Sequence, residues 1–339
     1  VEVCLTEPNT EFLAYMTTAI VPKDSADTLA TNPVGTGPFK YVSRNPQENI
    51  ILEKNEDYCD KWLKYAKKLY DKRLPIIFNQ EHLCLLLGYK KQYVYSVSNS
   101  PADFYRYYKI PKKNGNFRQI SEPLPSLKEI QKWILDNILV NVDTSVYAKA
   151  YIKKKSIKDN ARFHRKQKVL LSLDIKNFFD SISSDKIFDL FWNLGYKEDV
   201  VVMLTNLCCL NGSLPQGAPT SPMLSNIVLE DFDNEIGLYT MEQKIRYTRY
   251  ADDMTFSGDF HPGKIISKVK RQLNDLGLKL NDEKTRTRGR GQRQEVTGIV
   301  VNEKMQLPRP ERKKIRQEMH YIIKYGIESH LEYCKIEKA

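Results

Sequence analysis

Two apolar stretches of this chain are broken by carboxylates, and that limits the folds open to it more than any other feature. Val169-Leu170-Leu171-Ser172-Leu173-Asp174-Ile175 reads as a strand with one charge where a core residue is expected. Tyr247-Thr248-Arg249-Tyr250 and Met254-Thr255-Phe256 read as two short strands pinched around Ala251-Asp252-Asp253. A buried carboxylate is costly unless it is paired or holds a metal. Adjacent carboxylates between strands also repel each other. A cation shared by Asp174, Asp252 and Asp253, or a set of hydrogen-bond donors, would relieve these penalties. Their hard oxygen donors suit Mg²⁺, which takes carboxylates together with phosphates rather than a full protein cage. Two such ions about 3.5–4 Å apart would clamp an attacking hydroxyl and a leaving pyrophosphate. The plain alternative is an ordinary turn tipped with Asp residues.

Charge points the same way. The chain has 53 Lys and Arg against 42 Asp and Glu, a formal net charge of +11, which favours a polyanionic partner. Residues 1–60 hold four basic and ten acidic residues, a net of −6, so the remainder holds 49 against 32, a net of +17. Two differently built pieces joined near residue 60 would give this split, as would one fold with an acidic surface. With 339 residues, 41% of them apolar, there is bulk for a real core and about two domains. No run of eighteen apolar residues occurs, so no membrane span is expected. The cysteines are scattered without a Cys-x-x-Cys spacing, which argues against a zinc ribbon and fits a reducing, cytoplasmic setting. No signal peptide is visible, and Val1 rather than Met implies a trimmed, processed or incomplete start.

Turn formers crowd Asn32 to Pro38, and Ala19-Ile20-Val21 before Pro22 closes an expected strand. Lys40 to Val42 and Ile50 to Glu53 read as a hairpin. Residues 63–90 read as helical, with Leu63, Ala66, Leu69, Leu74 and Leu83 to Leu87 on an apolar face ending at Gly88. Asn114-Gly115 between Tyr105–Ile110 and Phe117–Ile120 predicts a second hairpin, carrying Lys109, Lys112, Lys113 and Arg118. Leu127 to Val140 is a predicted helix with Ile130, Trp133, Ile134 and Ile138 in the core. Lys153-Lys154-Lys155 to Arg165-Lys166 is basic and interleaved with Tyr151 and Phe163, which favours phosphate plus base contacts over a merely solvated face. Arg286, Arg288, Arg290 and Arg293 form a second basic cluster. Residues 311–325 form a predicted helix with Ile315, Met319, Ile322 and Ile323 on one face and Arg312, Lys313, Lys314 and Arg316 off it.

Residues 18–62 resemble a segment of extracellular solute-binding proteins of the peptide and nickel type, on the glycine-rich turn followed by a strand pair. A stretch this short holds neither lobe of such a protein, so a fused scaffold piece is expected rather than a transporter. From about residue 65 onward the chain resembles reverse transcriptases. The resemblance is carried by Tyr250-Ala251-Asp252-Asp253, Leu173-Asp174-Ile175-Lys176-Asn177-Phe178-Phe179, Leu214-Pro215-Gln216-Gly217-Ala218-Pro219-Thr220-Ser221-Pro222 and Gly277-Leu278-Lys279-Leu280-Asn281-Asp282-Glu283-Lys284-Thr285, in that family's spacing. Asn160-Ala161-Arg162-Phe163-His164 and Val296-Thr297-Gly298 match strings of the retron branch.

That resemblance implies an α+β right-hand polymerase fold: fingers, a palm with an antiparallel sheet, and a partial helical thumb. The expected division is 1–62, 63–300 for fingers and palm, and 301–339 for the thumb. It implies an RNA-directed DNA polymerase that copies a structured non-coding RNA into branched multicopy single-stranded DNA, primed from a guanosine 2′-hydroxyl. Two Mg²⁺ ions, dNTPs, an RNA–DNA duplex, the cognate RNA and an effector protein of an antiphage system are the implied cofactors and partners.

By the same resemblance Asp174, Asp252 and Asp253 are the metal triad, with Asp253 the looser ligand. Lys284 is a proton donor to pyrophosphate or a plain electrostatic clamp. Phe179 is a gate against the ribose 2′-hydroxyl, a core residue, or both. Gln216 holds nucleotide and template, and Arg118 with Lys112 or Lys113 neutralises the triphosphate. Lys153, Lys154, Arg288, Arg290 and Lys313 are expected RNA contacts. Asn160 and His164 belong either to the RNA-recognition surface or to the support of the fold. Val296, Thr297 and Gly298 fix the strand under primer and RNA. The chain stops at Ala339, inside what resembles the second thumb helix, so grip on the duplex is expected to suffer more than chemistry. The rivals are another bacterial reverse transcriptase, of group II intron or diversity-generating type, and an RNA-binding protein with weak catalysis.

Overall fold

Ile50 and Leu52 are buried while Ile51 between them is 41% exposed, the period-two signature of a strand with one covered face. The computed structural model describes residues 2–3, 39–45, 49–111, 115 and 117–333. The chain divides into two units, residues 1–76 and 77–339. In the first, β1 (Glu2–Val3), β2 (Phe39–Asn45) and β3 (Asn49–Lys54) form an antiparallel sheet in the order β1-β3-β2. The expected strand pair is therefore present, with a register shift between Tyr41 and Ser43. The expected turn at 32–38 and strand at 19–21 lie outside the described residues, as do Lys112 and Lys113.

Helix α1 (Glu56–Asp71) follows β3, and the expected boundary at residue 62 falls inside it. The run predicted as helical over 63–90 is two helices, α1 and α2 (Gln80–Leu87). Pro75 lies between them; it lacks an N–H and biases Leu74 away from the helical region. Leu63, placed on the apolar face by the spacing, is 66% exposed.

In the second unit the Asn79 side chain accepts from His82 N at 2.8 Å to start α2, and Gly88, at φ +74°, ends it. Next come α3 (Lys91–Asn99), the hairpin β4 (Tyr105–Pro111) and β5 (Phe117–Pro123), and α4 (Pro125–Asn137), which buries Leu127, Ile130 and Ile134. A capping box between Ser156 and Asp159 opens α5 (Ile157–Phe163). After β6 (Val169–Asp174) come α6 (Ser184–Leu194), α7 (Glu198–Cys208), α8 (Ser221–Val228) and α9 (Glu230–Glu242). Then follow β7 (Arg246–Tyr250), β8 (Asp253–Gly258), α10 (Pro262–Asp275) and β9 (Arg286–Gly289). The chain continues through β10 (Glu295–Val296), β11 (Ile299–Val300), α11 (Arg309–Tyr325) and α12 (Ile327–Tyr333).

Strands β7-β8-β6-β9 form one antiparallel sheet in that order. Strand β6 lies inside it, with Leu170, Leu171 and Leu173 buried. That explains why its sequence reads as an apolar run rather than an alternation. Tyr247 and Phe256, opposite each other on β7 and β8, stack with ring centroids 4.8 Å apart. The result is a mixed fold of helices and small antiparallel sheets. Among the described residues no helix is long and apolar enough to cross a membrane.

Candidate active site

The sheet register brings the carboxylates together. Asp174 ends β6 and Asp253 begins β8, and the two are direct cross-strand partners. Tyr250 pairs with Asp253, so Ala251 and Asp252 form the two-residue turn of the β7–β8 hairpin. Such a turn needs a positive φ at its first position, and Ala251 adopts +58°. One carboxylate oxygen from each of Asp174, Asp252 and Asp253 lies within 4.8 Å of the others, and this group could hold a metal ion. The donors are all hard oxygens, as Mg²⁺ requires.

The electrostatics favour a cation beside these groups. Asp253 is exposed as a residue, yet desolvation of its carboxyl, helped by the charges of Asp252 and Asp174, pushes it up to about 7. Burial, then the Asp174 charge, also raises Asp252, while Lys284 and Arg118 pull it back. Arg118, exposed on β5, thus acts electrostatically on the acidic turn.

Asp174 is held on every side. Its Oδ1 accepts from Asn281 Nδ2 at 3.1 Å, its Oδ2 from Lys284 Nζ at 2.7 Å, and its backbone carbonyl from Asn281 N at 2.8 Å. Ile175 bridges Leu280, and Lys176 N donates to Lys279 O at 2.8 Å, so the Lys279–Lys284 segment is tied beside the end of β6. Burial draws the Lys284 ammonium down, but the bond to Asp174 and the three carboxylates outweigh it, and the net shift is upward. Asn281 was quoted in the sequence only as part of a motif; its role needs the register to be seen.

Gln216 sits in a loop docked on β5. Its carbonyl accepts from Ser121 N at 2.9 Å, and Ser221 Oγ donates to Pro215 O at 2.7 Å. Gly217 has φ +132°, and a Cβ there would lie 2.7 Å from Ser121 O, so only glycine fits. Phe179 is half-buried, its ring 5.2 Å from that of the buried Phe178.

The two retron-like strings meet in one core. Ala161 of α5 packs with Leu170, Val296 and Val301. Thr297 and Gly298 form the β10–β11 turn with φ of +46° and +81°. Asn160 and His164 are fully buried. The Thr248 hydroxyl donates to Asn160 Oδ1 at 2.6 Å, so it accepts from His164 Nε2 at 2.7 Å. Burial, then Arg246 and Lys149, lowers His164 to about 3, so the neutral ring accepts at Nδ1 from Ser257 Oγ at 2.7 Å. Of the two readings open for this pair, burial favours support of the fold over direct contact with RNA. Lys153, Lys154, Arg290 and Lys313 are exposed and Arg288 is half-buried. Arg290 faces Glu303 at 3.5 Å.

One further group escaped the sequence reading. Arg249 on β7 is fully buried and paired with the equally buried Asp233 of α9. A charge inside Tyr247-Thr248-Arg249-Tyr250 was the available signal, but its partner lies on a different element.

Comparison with known proteins agrees with both resemblances. The family model described as reverse transcriptase (RNA-dependent DNA polymerase) matches residues 110–302. A second, for bacterial extracellular solute-binding proteins, family 5 middle, matches residues 1–124, a longer stretch than the 18–62 expected. The chain is 36% identical over 242 residues to the retron Ec86 reverse transcriptase of Escherichia coli, covering 69% of this chain and 75% of that protein. To the retron Ec83 reverse transcriptase of Escherichia coli it is 34% identical over 247 residues, covering 68% and 79%. To the retron Mx65 reverse transcriptase of Myxococcus xanthus it is 32% identical over 272 residues, covering 73% and 64%.

Proposed function

The chain belongs to the reverse transcriptases of the retron type, and from that premise we propose that it copies a structured non-coding RNA into branched multicopy single-stranded DNA. The observation that carries the reading is the meeting of Asp174, Asp252 and Asp253 within 4.8 Å at the open end of one sheet. Those residues would hold two Mg²⁺ ions, which supply charge neutralisation at the attacking hydroxyl and the departing pyrophosphate.

The remaining groups have separable tasks. Asn281 and Lys284 hold the Asp174 carboxylate in place. Lys284, with its ammonium beside the triad, also clamps the leaving pyrophosphate. Arg118, with Lys112, binds the triphosphate of an incoming dNTP; the planar fork of Arg suits paired phosphate oxygens. Gln216 contacts nucleotide and template, its loop braced on β5. Phe179 excludes a ribose 2′-hydroxyl by bulk. In hand terms, β4–β5 with its neighbouring helices are the fingers, the four-stranded sheet is the palm, and α11 begins the thumb. Lys153, Lys154, Arg288, Arg290 and Lys313 contact the phosphates of the cognate RNA and of the RNA–DNA duplex. Val296, Thr297 and Gly298 shape the adjoining surface, and Asn160 with His164 supports it from beneath. The site of action is the cytoplasm, which suits the buried, unpaired Cys84, Cys208 and Cys209. An effector protein completes an antiphage system.

Primer extension on an RNA template with an annealed DNA primer, dNTPs and Mg²⁺ tests the chemistry. Extension is expected to vanish when Asp252→Asn and Asp253→Asn are combined, and its survival would sink the assignment. The retron claim is tested by isolating branched RNA–DNA from cells that carry the gene with its upstream DNA. A structured RNA with paired inverted repeats should be encoded there.

A further inference from the structure

We infer that Arg249 and Asp233 form a positioning pair that fixes the Ala251 carbonyl and thereby sets where the Asp252 carboxylate stands. The inference rests on the reading of Asp174, Asp252 and Asp253 as the site of the catalytic cation.

The pair is an expensive choice for a core. Both side chains are 0% exposed. Two ions taken out of water lose their hydration, and hydrocarbon of the same volume often packs there at no loss of stability. What hydrocarbon lacks is a set of directed donors, and Arg249 uses them in two directions. Toward α9, Nε donates to Asp233 Oδ1 at 2.9 Å and to Oδ2 at 3.0 Å, while Nη2 donates to Oδ2 at 2.6 Å. Toward the acidic turn, Nη1 donates to Ala251 O at 3.0 Å and to Asn226 Oδ1 at 3.2 Å. Asp233 anchors the guanidinium, and the guanidinium's far side holds the turn.

The turn needs holding. Ala251 has φ +58°, a region that disfavours any residue with a Cβ, so an unbraced turn would relax. The Ala251–Asp252 peptide plane fixes the direction in which the Asp252 side chain leaves the backbone. Its carbonyl is held by Arg249, and the next carbonyl, that of Asp252, accepts from Ile175 N at 3.1 Å. Asp252 is thus clamped on both sides, once from its own hairpin and once from the residue that follows Asp174.

The same centre ties down neighbouring chain. Tyr247 OH donates to Asp233 Oδ1 at 2.7 Å, and Asn226 Nδ2 donates to Ala150 O at 2.9 Å. Arg249 N accepts no such freedom either: it donates to Tyr147 O at 2.9 Å, and Arg249 O accepts from Lys149 N at 2.8 Å. Backbone and side chain of Arg249 therefore register three separate segments, α8, α9 and residues 147–149, against the turn. Nothing here touches substrate; the residue acts through Ala251.

The experiment uses the full chain and two kinds of variant. In Arg249→Met with Asp233→Leu both charges leave together, so no lone buried charge remains, while Tyr247 OH and Asn226 Oδ1 each lose a partner. In Arg249→Lys the charge stays, but one ammonium cannot serve Asp233 and the Ala251 carbonyl at once. Each is compared with wild type by circular dichroism, by kcat and dNTP KM in primer extension, and by Mn²⁺ binding to the nucleic-acid-free protein followed by electron paramagnetic resonance. Expected are a native spectrum, a kcat lower by about 10²-fold, a KM within about threefold of wild type, and weaker Mn²⁺ binding. Should the double variant fail to fold, Arg249→Lys decides alone. Wild-type kcat and Mn²⁺ binding in a folded variant overturn the inference and leave the pair a packing element. Asp252→Asn, run alongside, separates the two claims: if it extends primer normally the metal-site reading itself is lost, whereas a dead Asp252→Asn beside an active Arg249→Lys removes only the positioning role.

Discussion

The Lys284 ammonium donates to Asp174 Oδ2 at 2.7 Å from a side chain that is 59% exposed, while Asp174 is only 6% exposed. One end of this ion pair is dry and carries the candidate metal ligand; the other faces the open site. A group so placed can hold Asp174 and still present positive charge to a departing pyrophosphate. Lys284→Met is expected to lower kcat in single-turnover extension by about 10²-fold, the usual effect of removing one preorganised donor from a developing charge. Lys284→Arg should keep most of the rate if the residue is an electrostatic clamp. Equal losses in both variants would favour proton donation instead.

Phe179 stands on a short turn five residues after Asp174, half-buried, against a Phe178 ring that is itself in the core. Because Phe178 does the packing, Phe179→Ala should leave the fold intact. The expected outcome is a rise of at least about 10-fold in kcat/KM for GTP relative to dGTP, equivalent to roughly 1.4 kcal/mol of lost discrimination. An unchanged ratio with a lowered Tm would make Phe179 a packing residue only.

His164 gives a pH signature of stability. Its folded value is about 3, against about 6.5 in an unfolded chain. Between those values the unfolded state binds the extra proton, so stability rises with pH there and is lost as pH falls from about 6.5 toward 3. The slope from this one group is at most about 1.4 kcal/mol per pH unit. Urea unfolding at pH 7.5 and pH 5 should therefore show a smaller pH-induced loss for His164→Asn than for wild type, although the variant is weaker at pH 7.5. Parallel losses in the two proteins would remove His164 as the cause.

What was readable in the chain was whatever announces itself locally. Asp174 and the Asp252-Asp253 pair stand out as charges among apolar neighbours, and Asn114-Gly115 is a short-range signal. Arg249 was just as conspicuous, but its meaning depends on Asp233, sixteen residues earlier on a separate helix. His164 offered two roles until Thr248 and Ser257, on β7 and β8, came within bonding distance of its ring. The helix predicted across 63–90 failed at Pro75, where periodicity was weighed and the backbone constraint of proline was not. Local chemistry is written in the sequence; partnerships between strands appear only with the register.

Lys153 and Lys154 test whether the basic stretch after residue 150 is a nucleic-acid surface. Both are exposed, and Lys154 holds φ +64°, on a stretch that runs between two fixed points. One point is the Ala150 carbonyl, bound by Asn226, and the other is the Ser156 cap of α5. Tyr151, next to the first, is raised by burial and then by the charge of Asp252, so the stretch begins near the acidic turn. Charges presented there meet phosphates, and each phosphate contact displaces about one counterion. Replacing both by Gln should weaken binding of an RNA–DNA duplex equally across sequences. It should also reduce the slope of log K against log salt by about 2. The kcat at saturating duplex should stay near wild type, because the charges that act on Asp252 and Asp253 come from Lys284, Arg118 and the carboxylates themselves. A wild-type salt slope in the double variant would mean these charges are only solvated, and the phosphate grip would then fall to Arg288 and Arg290.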